Sequence, residues 1–264
     1  MKDGRMLIVP LDDSLIFGPY DGLQSLAGTV TSICKSNPSA ILGYKGTCSL
    51  IENPDIPFIL NITASTTMGN HVQKVVSESV ADALTIGADC IAVHVNYTGL
   101  AENEMLKQLS EIIGEADQYG MPVLAISYPR KSVKGQDYNY EDIKKSDTWE
   151  YARIICHCVR ASVELGADVI KTQYTGNTES FKMVVSAAMG RPVVIAGGPL
   201  IEVSDSYRMA REALDAGASG ISYGRNIFNA ENIGAYLLGL KEIVFHDADV
   251  NEALSIYKGG LENV

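Results

Sequence analysis

A lysine stands at an unusual position in the segment LGADVIKTQYTG, residues 165–176. Val169, Ile170 and Thr172 predict a short strand, and the glycine just before it fits the left-handed position that ends a helix. Lys171 would then lie in a strand whose surroundings favour burial on both faces. A buried ammonium is costly unless it is paired or neutral, and a neutral amine is a nucleophile toward carbonyl groups. The segment therefore predicts either a Schiff-base lysine or a lysine at a strand end that reaches solvent.

The rest of the chain predicts the elements that position this lysine. At residues 87, 166 and 217 a helical pattern ends at a glycine, and a strand pattern begins two or three residues later. This order is typical of βαβ units, which join parallel strands. The predicted strands begin near residues 6, 40, 58, 90, 123, 169, 193 and 221. Eight strands alternating with helices in 264 residues predict an α/β protein with a single (β/α)8 TIM barrel, and one barrel domain over residues 1–264.

A doubly wound open sheet is the alternative fold. Such sheets usually have fewer strands, and no G-x-G-x-x-G motif opens a helix in this chain. Within the barrel, a polar segment at residues 63–70 follows the third strand. Residues 131–148 are polar and charged and follow the fifth strand, which predicts a long loop over the site.

Barrel enzymes carry their chemistry at the carboxyl ends of the strands. The residues at the predicted strand exits are Asp12, Asp13, Lys45, His94, Asn96, Tyr128, Arg130, Lys171, Gly197, Gly198, Gly224 and Arg225. Barrels often bind phosphate through the loops after strands seven and eight, where glycine lets backbone N–H groups approach the oxygens. AGGP at 196–199 and YGRN at 223–226 therefore predict a phosphate site, with the arginine as a charged clamp. Ordinary tight turns are the alternative interpretation of these glycines.

An anchored phosphate would place a substrate carbonyl in front of Lys171. A Schiff base there is an electron sink, so an adjacent C–C bond can form or break without a metal. Tyr128 is placed as a general acid/base on the neighbouring strand, and a packing tyrosine is the alternative. Asp12 would hold the lysine or a substrate hydroxyl. Lys45 would either keep the Lys171 amine neutral or bind substrate.

Composition excludes several other classes of function. The formal net charge of −11 argues against nucleic acid as a main partner. No run of about eighteen apolar residues predicts a membrane span, and the first residues lack the apolar run of a secretory signal. The five cysteines, at 34, 48, 90, 156 and 158, have no metal-ligand spacing, so we expect free thiols in a reducing cytoplasm. The four histidines are scattered, so neither a zinc-dependent mechanism nor another cofactor is predicted.

Six motifs, in order along nearly the whole chain, resemble one known family. They are VPLDD at 9–13, HVN at 94–96, YPR at 128–130, VIKTQYTG at 169–176, VVIAGGP at 193–199 and YGRNIF at 223–228. Together they resemble the archaeal-type class I fructose-bisphosphate aldolases. That family also contains aldolase-like synthases that use aspartate semialdehyde, and a thiolase.

The resemblance implies roles for particular residues. It places the Schiff-base lysine at Lys171, the proton-transferring tyrosine at Tyr128 and the strand-one aspartate at Asp12. It places the phosphate site at Gly197, Gly198, Gly224 and Arg225. Of the other residues at strand exits, His94 and Arg130 are possible substrate contacts, and a histidine satisfied within the barrel is the preferred interpretation of His94. It also implies small phosphorylated ketose or aldehyde substrates, and a homo-oligomer, since members of this family are often decamers.

The chain departs from the family pattern at the pocket for the second half of the substrate. Asp13-Ser14 replaces the usual His-Gly, Ile126 replaces a tryptophan two residues before the tyrosine, and Lys131 replaces a glycine. Four hypotheses follow. They are an aldolase that uses dihydroxyacetone phosphate as donor and resembles fructose-bisphosphate aldolase, a synthase with an amino-acid semialdehyde as acceptor, a thiolase that uses coenzyme A on a phosphorylated diketone, and a sugar-phosphate-binding barrel without activity. The intact lysine, tyrosine and aspartate argue against the last.

Overall fold

Eight parallel strands close into a barrel in the computed structural model, which describes residues 4–19, 21–52 and 55–262. The strands are β1 (Met6–Pro10), β2 (Ala40–Gly43), β3 (Phe58–Asn61), β4 (Cys90–Tyr97), β5 (Val123–Pro129), β6 (Val169–Gln173), β7 (Val193–Ala196) and β8 (Gly220–Ser222). Each strand pairs with its neighbours in the chain, and β1 pairs with β8 to close the ring. The predicted (β/α)8 barrel is confirmed. Asn53-Pro54, a pair that predicts a loop between the second and third strands, lies outside the described residues.

Helices connect and flank the strands. In the described ranges they are Asp13–Phe17, Leu26–Lys35, Lys45–Cys48, Val80–Thr85, Glu102–Tyr119, Glu141–Ser146, Thr148–Glu164, Thr178–Ala187, Val203–Asp215, Arg225–Phe228, Ile233–His246 and Val250–Glu262. None of these helices is long and apolar enough to cross a bilayer. The three predicted helix-ending glycines have positive φ angles of +72° at Gly87, +110° at Gly166 and +98° at Gly217. A side chain is strained at such angles, which explains why glycine marks the turn into the next strand.

Successive side chains along each strand point to opposite faces of the sheet, and each face contributes to its own hydrophobic core. Side chains on one face, such as Ile170 of β6, pack with the helices. Side chains on the other face fill the barrel and include Ile126 of β5 and Val194 of β7. Lys171 pairs in register with both of these residues. Because register partners in a parallel sheet share a face, Lys171 points into the barrel interior.

The segment after β5 is more ordered than the polar loop predicted for residues 131–148. Lys131–Val133 and Gln136–Tyr138 form a two-stranded antiparallel hairpin, and a short helix follows it. The hairpin turns at Lys134 and Gly135, whose φ angles of +51° and +79° suit the tight turn between two strands. Polarity indicates exposure in such a segment, but it does not reveal a two-residue turn.

The segment after β3 also folds back on itself. Thr63–Ala64 pairs antiparallel with Val75–Val76, so the chain between them forms a strap at the barrel mouth. Thr67 ties this strap to the first helix, since its backbone N–H donates to the Ile16 carbonyl over 2.9 Å. The strap carries His71, which lines the candidate site.

Candidate active site

One cavity opens at the carboxyl ends of the barrel strands. Of the ten residues to which the sequence assigned a catalytic, phosphate-binding or substrate-contact role, nine line it, and they are Asp12, His94, Tyr128, Arg130, Lys171, Gly197, Gly198, Gly224 and Arg225. Phe17 and His71 line it as well, although the sequence pattern did not predict them. The first helix supplies Phe17 and the strap after β3 supplies His71, whose rings lie 5.6 Å apart.

Lys171 projects from β6 into this cavity and is only 5 % exposed. Among the described residues, no hydrogen bond or ion pair occupies its amine. The neighbours on its face, Ile126 and Val194, are apolar. The amine is therefore not engaged elsewhere among the described residues, and it is available for covalent chemistry at the cavity wall.

Tyr128 lies on β5, two residues beyond Ile126, and therefore on the same inward face as Lys171. Burial raises the pKa of its phenol, and the nearby Lys171 charge opposes this rise without cancelling it. The hydroxyl therefore stays protonated at neutral pH and can donate a proton. The ring meets His94 edge-on, with centroids 5.1 Å apart and planes at 84°.

Asp12 follows β1 and is held by an asparagine that the sequence analysis did not single out. Asn61, the last residue of β3, donates from Nδ2 to Asp12 Oδ2 over 3.0 Å. Its own Oδ1 accepts from the backbone N–H of Thr63 over 3.1 Å and from the hydroxyl of Thr63 over 2.9 Å. Because Asn61 is buried and its side-chain oxygen accepts two hydrogen bonds, its amide group is held in one orientation and fixes one oxygen of the carboxylate. The signal in the sequence that could have identified Asn61 is an asparagine at a strand position that faces the barrel interior.

His94 lies inside β4, which continues to Tyr97. Asn96 donates from Nδ2 to the Val72 carbonyl over 2.6 Å, so its Oδ1, 3.0 Å from His94 Nε2, acts as an acceptor. His94 Nε2 must then carry the proton. Burial, followed by nearby cations, lowers the pKa of His94 well below its ordinary value. The ring is thus a neutral imidazole in the cavity wall.

Lys45 is the predicted site residue that the structure places elsewhere. It begins a short helix after β2, and its side chain is 53 % exposed. Its amine lies 3.9 Å from Glu78 and 3.8 Å from Asp82, which are outside the cavity. The prediction that Lys45 stands at the rim beside Lys171 is wrong, because β2 ends at Gly43 and the chain turns outward before the lysine.

Asn226 joins the two glycine-rich turns and was also missed. Its Nδ2 donates to the carbonyls of Gly197 over 3.0 Å and Pro199 over 3.1 Å, and its Oδ1 accepts from the Ile201 N–H over 3.0 Å. The two turns are therefore held as one unit at the cavity edge. Gly224 is required by space, since a Cβ there would lie 2.8 Å from the Pro10 carbonyl oxygen.

Arg225 stands at the same edge with its guanidinium close to a carboxylate. Its Nε lies 3.3 Å from Asp13 Oδ2, and both side chains line the cavity. A guanidinium carries five N–H donors, so this contact leaves others for a ligand. Asp13 therefore orients the arginine and reduces the net positive charge near the two glycine turns.

All five cysteines are free, as predicted. Within the part of the chain that the structure describes, no three side chains of the His, Cys, Asp or Glu type are grouped to hold a metal ion.

The two buried cavity histidines predict a pH-dependent stability. Burial lowers the pKa of His71 to about 3 and that of His94 below its ordinary value, whereas an unfolded histidine binds a proton near pH 6.5. Below pH 6.5 unfolding therefore takes up protons. The stability present above this pH is lost as the pH falls, by up to about 1.4 kcal/mol per pH unit and histidine.

Urea unfolding at pH 7.5 and pH 5.5 measures this loss. We expect His71→Gln to reduce the difference in unfolding free energy between the two pH values. His157→Gln, at an exposed helix position, is the matched control and should leave it unchanged. Equal pH dependence in both variants would contradict a buried neutral His71.

The barrel fold and this cavity define the protein as a class I aldolase, a lyase that works through a Schiff base. The chain belongs to the DeoC/LacD family of aldolases, whose model matches residues 6–230.

Relatives that are named for an enzyme activity align with almost the whole chain. The 2-amino-3,7-dideoxy-D-threo-hept-6-ulosonate synthase of Halobacterium salinarum is 34 % identical over 256 residues, which are 96 % of this chain and 91 % of that protein. A synthase of the same name, numbered 1, from Archaeoglobus fulgidus is 30 % identical over 99 % of this chain and 94 % of that protein. The crystal structure of an archaeal fructose 1,6-bisphosphate aldolase superposes with a TM-score of 0.81 at 25 % identity, covering 92 % of this chain and 94 % of that one.

Proposed function

We propose that Lys171 forms the Schiff base with the ketone carbon of a phosphorylated donor, and that the enzyme joins this donor to an amino-acid semialdehyde. One observation carries the proposal. Lys171 points inward and has no ion-pair partner among the described residues. It shares one cavity with the protonated phenol of Tyr128, the carboxylate of Asp12 that Asn61 fixes, and the two glycine turns that Asn226 joins. This is the set of groups that carbon–carbon bond chemistry through an imine requires.

The donor is held by its phosphate. The turns that carry Gly197, Gly198 and Gly224 offer backbone N–H groups to the phosphate oxygens, and Arg225 adds charge-assisted hydrogen bonds. Ala196 ends β7 next to these turns and pairs in register with Gln173 of β6, two residues beyond Lys171. A phosphate at the turns would thus place a carbonyl carbon a few bonds away near the lysine amine.

The proposed reaction balances within the cavity. The Lys171 amine adds to the ketone carbon, one proton is taken up from solvent and water leaves, which gives a protonated imine. Transfer of a proton from the adjacent carbon to solvent gives an enamine, which attacks the aldehyde carbon and forms the new C–C bond. Tyr128 donates a proton to the aldehyde oxygen as it becomes a hydroxyl, and Asp12 holds the lysine or a substrate hydroxyl. Water then hydrolyses the imine and frees the lysine.

The charge of the cavity and the names of the relatives support an amino-acid semialdehyde as the acceptor half. Arg130 lines the cavity and is a second cation besides Arg225, so it suits an acceptor aldehyde that bears an anionic group. The relatives at 34 % and 30 % identity are named for an amino sugar acid, and an amino-acid semialdehyde would supply its amine and carboxylate.

Fructose-bisphosphate aldolase activity is the second candidate. Two arginines on one cavity also suit a sugar with a phosphate at each end. The structural likeness to an archaeal fructose 1,6-bisphosphate aldolase favours it as well.

A panel of acceptors separates the two candidates. The enzyme is incubated with dihydroxyacetone phosphate and either aspartate semialdehyde or glyceraldehyde 3-phosphate, and the products are identified by mass spectrometry. We expect a seven-carbon product with aspartate semialdehyde at the higher kcat/KM. Preference for glyceraldehyde 3-phosphate would favour the second candidate, and no product with either aldehyde would contradict the donor assignment.

Replacing Arg225 with alanine tests the phosphate site. A charge-assisted hydrogen bond contributes about 1.5–3 kcal/mol, so KM for the phosphorylated donor should rise about tenfold or more while kcat falls less. Steady-state kinetics with the donor varied measures both constants. Arg153→Ala removes an exposed arginine from the helix Thr148–Glu164 and serves as control. An unchanged KM in Arg225→Ala would mean that the phosphate is bound elsewhere.

A further inference from the structure

A second lysine, Lys74, is buried in the strap after β3 and has no place in the mechanism above. It is 1 % exposed, more deeply buried than Lys171, and it does not line the cavity. A lysine is almost never fully buried unless its charge is paired or its amine is hydrogen-bonded. Its amine donates to Ser65 Oγ over 2.6 Å. This contact is the first step of a chain that leads back to the cavity.

The next hydrogen bonds in this series join Ser65 to His71. The Ser65 hydroxyl donates to the His71 carbonyl over 3.0 Å, so its proton is already used. Ser65 Oγ also lies 3.2 Å from His71 Nδ1. With its proton directed to the carbonyl, the Ser65 oxygen can only accept from this ring nitrogen.

The other ring nitrogen of His71 fixes the tautomer independently. Arg130 Nη1 lies 3.0 Å from His71 Nε2, and a guanidinium only donates. His71 Nε2 must therefore be bare, and Nδ1 must carry the proton that Ser65 accepts. Burial first, then the charges of Lys74 and Arg130, lowers the pKa of His71 and keeps the ring neutral. Lys74 and His71 thus both donate to the Ser65 oxygen, and Arg130 donates to His71.

Arg130 is held at two points by acceptors without charge. Its Nε donates to Asn139 Oδ1 over 2.6 Å, and its Nη1 donates to His71. The carboxylate of Asp137 lies nearby, with its Oδ2 3.7 Å from His71 Nε2, and it acts on Arg130 through its charge and not through a direct hydrogen bond. Neutral acceptors orient a guanidinium without neutralising it, so Arg130 retains charge for an anion in the cavity.

The geometry points to Lys74 and Ser65 as positioning residues that act through His71 to hold Arg130 against the anionic group of the acceptor aldehyde. This inference rests on the proposed function, in which Arg130 meets the acceptor half. The carboxylate of a semialdehyde and the phosphate of a sugar aldehyde offer the same chemistry to Arg130. The strap itself is held in place, because Asn96 donates to the carbonyl of Val72 between His71 and Lys74.

The kinetic test replaces Ser65 and Lys74 and varies the acceptor. Ser65→Ala and Lys74→Met should each raise KM for aspartate semialdehyde and for glyceraldehyde 3-phosphate about three- to tenfold, with little change in kcat. KM for an uncharged aldehyde such as glycolaldehyde should not move. Ser65→Thr keeps the hydroxyl and should restore wild-type KM, and Lys45→Met, at an exposed lysine, is the control. Ser65→Ala removes only one oxygen, so it tests the inference even if Lys74→Met does not fold.

A measurement without substrate tests the hydrogen bonds between Lys74 and Arg130 directly. Nitrogen-15 NMR of histidine-labelled wild-type protein, with the His71 signal assigned by its loss in His71→Gln, should show a neutral ring protonated at Nδ1. In Ser65→Ala the Nδ1 proton loses its acceptor, and its signal should shift and exchange faster. A wild-type His71 protonated at Nε2, or an unchanged acceptor KM in both Ser65→Ala and Lys74→Met, would overturn the inference. Failure of Schiff-base formation would instead count against the proposed function, since the NMR result does not depend on it.

Discussion

Lys171→Met should abolish both turnover and covalent trapping of the donor by borohydride. Methionine keeps most of the length and apolar contact of the lysine side chain inside the barrel but has no nucleophile. Loss of a nucleophile that acts as a unit with its partners costs on the order of 10⁴-fold or more in kcat. The measurement combines kcat with the mass of the protein after incubation with dihydroxyacetone phosphate and borohydride.

The control for this result is a substitution of Lys74, which is also buried. Lys74→Met removes an amine that lies outside the cavity, so trapping should persist in that variant. Circular dichroism of both variants checks that the barrel is intact. Residual turnover of Lys171→Met near the wild-type rate would contradict a Schiff base at Lys171, whatever the acceptor.

Tyr128→Phe should still form the imine but lose most of its turnover. Phenylalanine keeps the ring and its edge-on contact with His94, and it deletes only the hydroxyl. A general acid contributes about 10²–10⁴-fold, so kcat should fall within this range. The covalent intermediate should accumulate, because its formation needs the lysine and its further reaction needs the proton. Trapping with borohydride under turnover conditions measures the accumulated fraction.

Asp12→Asn provides the contrast for this variant. The carboxylate is fixed by Asn61 and belongs to the group that surrounds the lysine, so its loss should also slow imine formation. Less trapped intermediate in Asp12→Asn than in Tyr128→Phe would separate the two roles. If Tyr128→Phe turned over at nearly the wild-type rate, the proton would have to come from another group, with Asp12 the first to test.

The barrel and most of the cavity could be predicted because they follow local rules. Glycines at helix ends and apolar runs marked the strands, and the carboxyl ends of parallel strands must meet at one edge. This reasoning brought Lys171, Tyr128 and Asp12 to one place without any knowledge of contacts. It failed for Lys45, because the side to which a chain turns after its strand depends on the helix that follows.

The residues that sequence reasoning missed act through tertiary contacts. Asn61 and Asn226 orient other groups by hydrogen bonds whose partners lie far away in the chain. His71 and Lys74 enter the site region only because the strap between Thr63 and Val76 folds back over the barrel. A polar segment with a histidine and a lysine is ordinary in a sequence, and its meaning appears only when burial is known.

The departures from the resembled family gain a physical context from the structure. Asp13 contacts Arg225 and so moderates the charge at the proposed phosphate site. Ile126 lies beside Lys171 on the inward face, where a smaller apolar side chain leaves more room than a tryptophan. Lys131 starts the hairpin after β5, and its amine lies 5.5 Å and 5.2 Å from the ring centres of Tyr138 and Tyr140. Asp13 and Ile126 line the cavity, whereas Lys131 does not, and all three changes leave the lysine in place.

Peptide mapping of the wild-type adduct tests the central claim most directly. The enzyme is incubated with dihydroxyacetone phosphate, reduced with borohydride, digested and sequenced by mass spectrometry. We predict one modified peptide, with the reduced donor attached to Lys171 and unmodified Lys45 and Lys74. Attachment to either of those lysines, or the absence of any adduct while the enzyme turns over, would contradict the account.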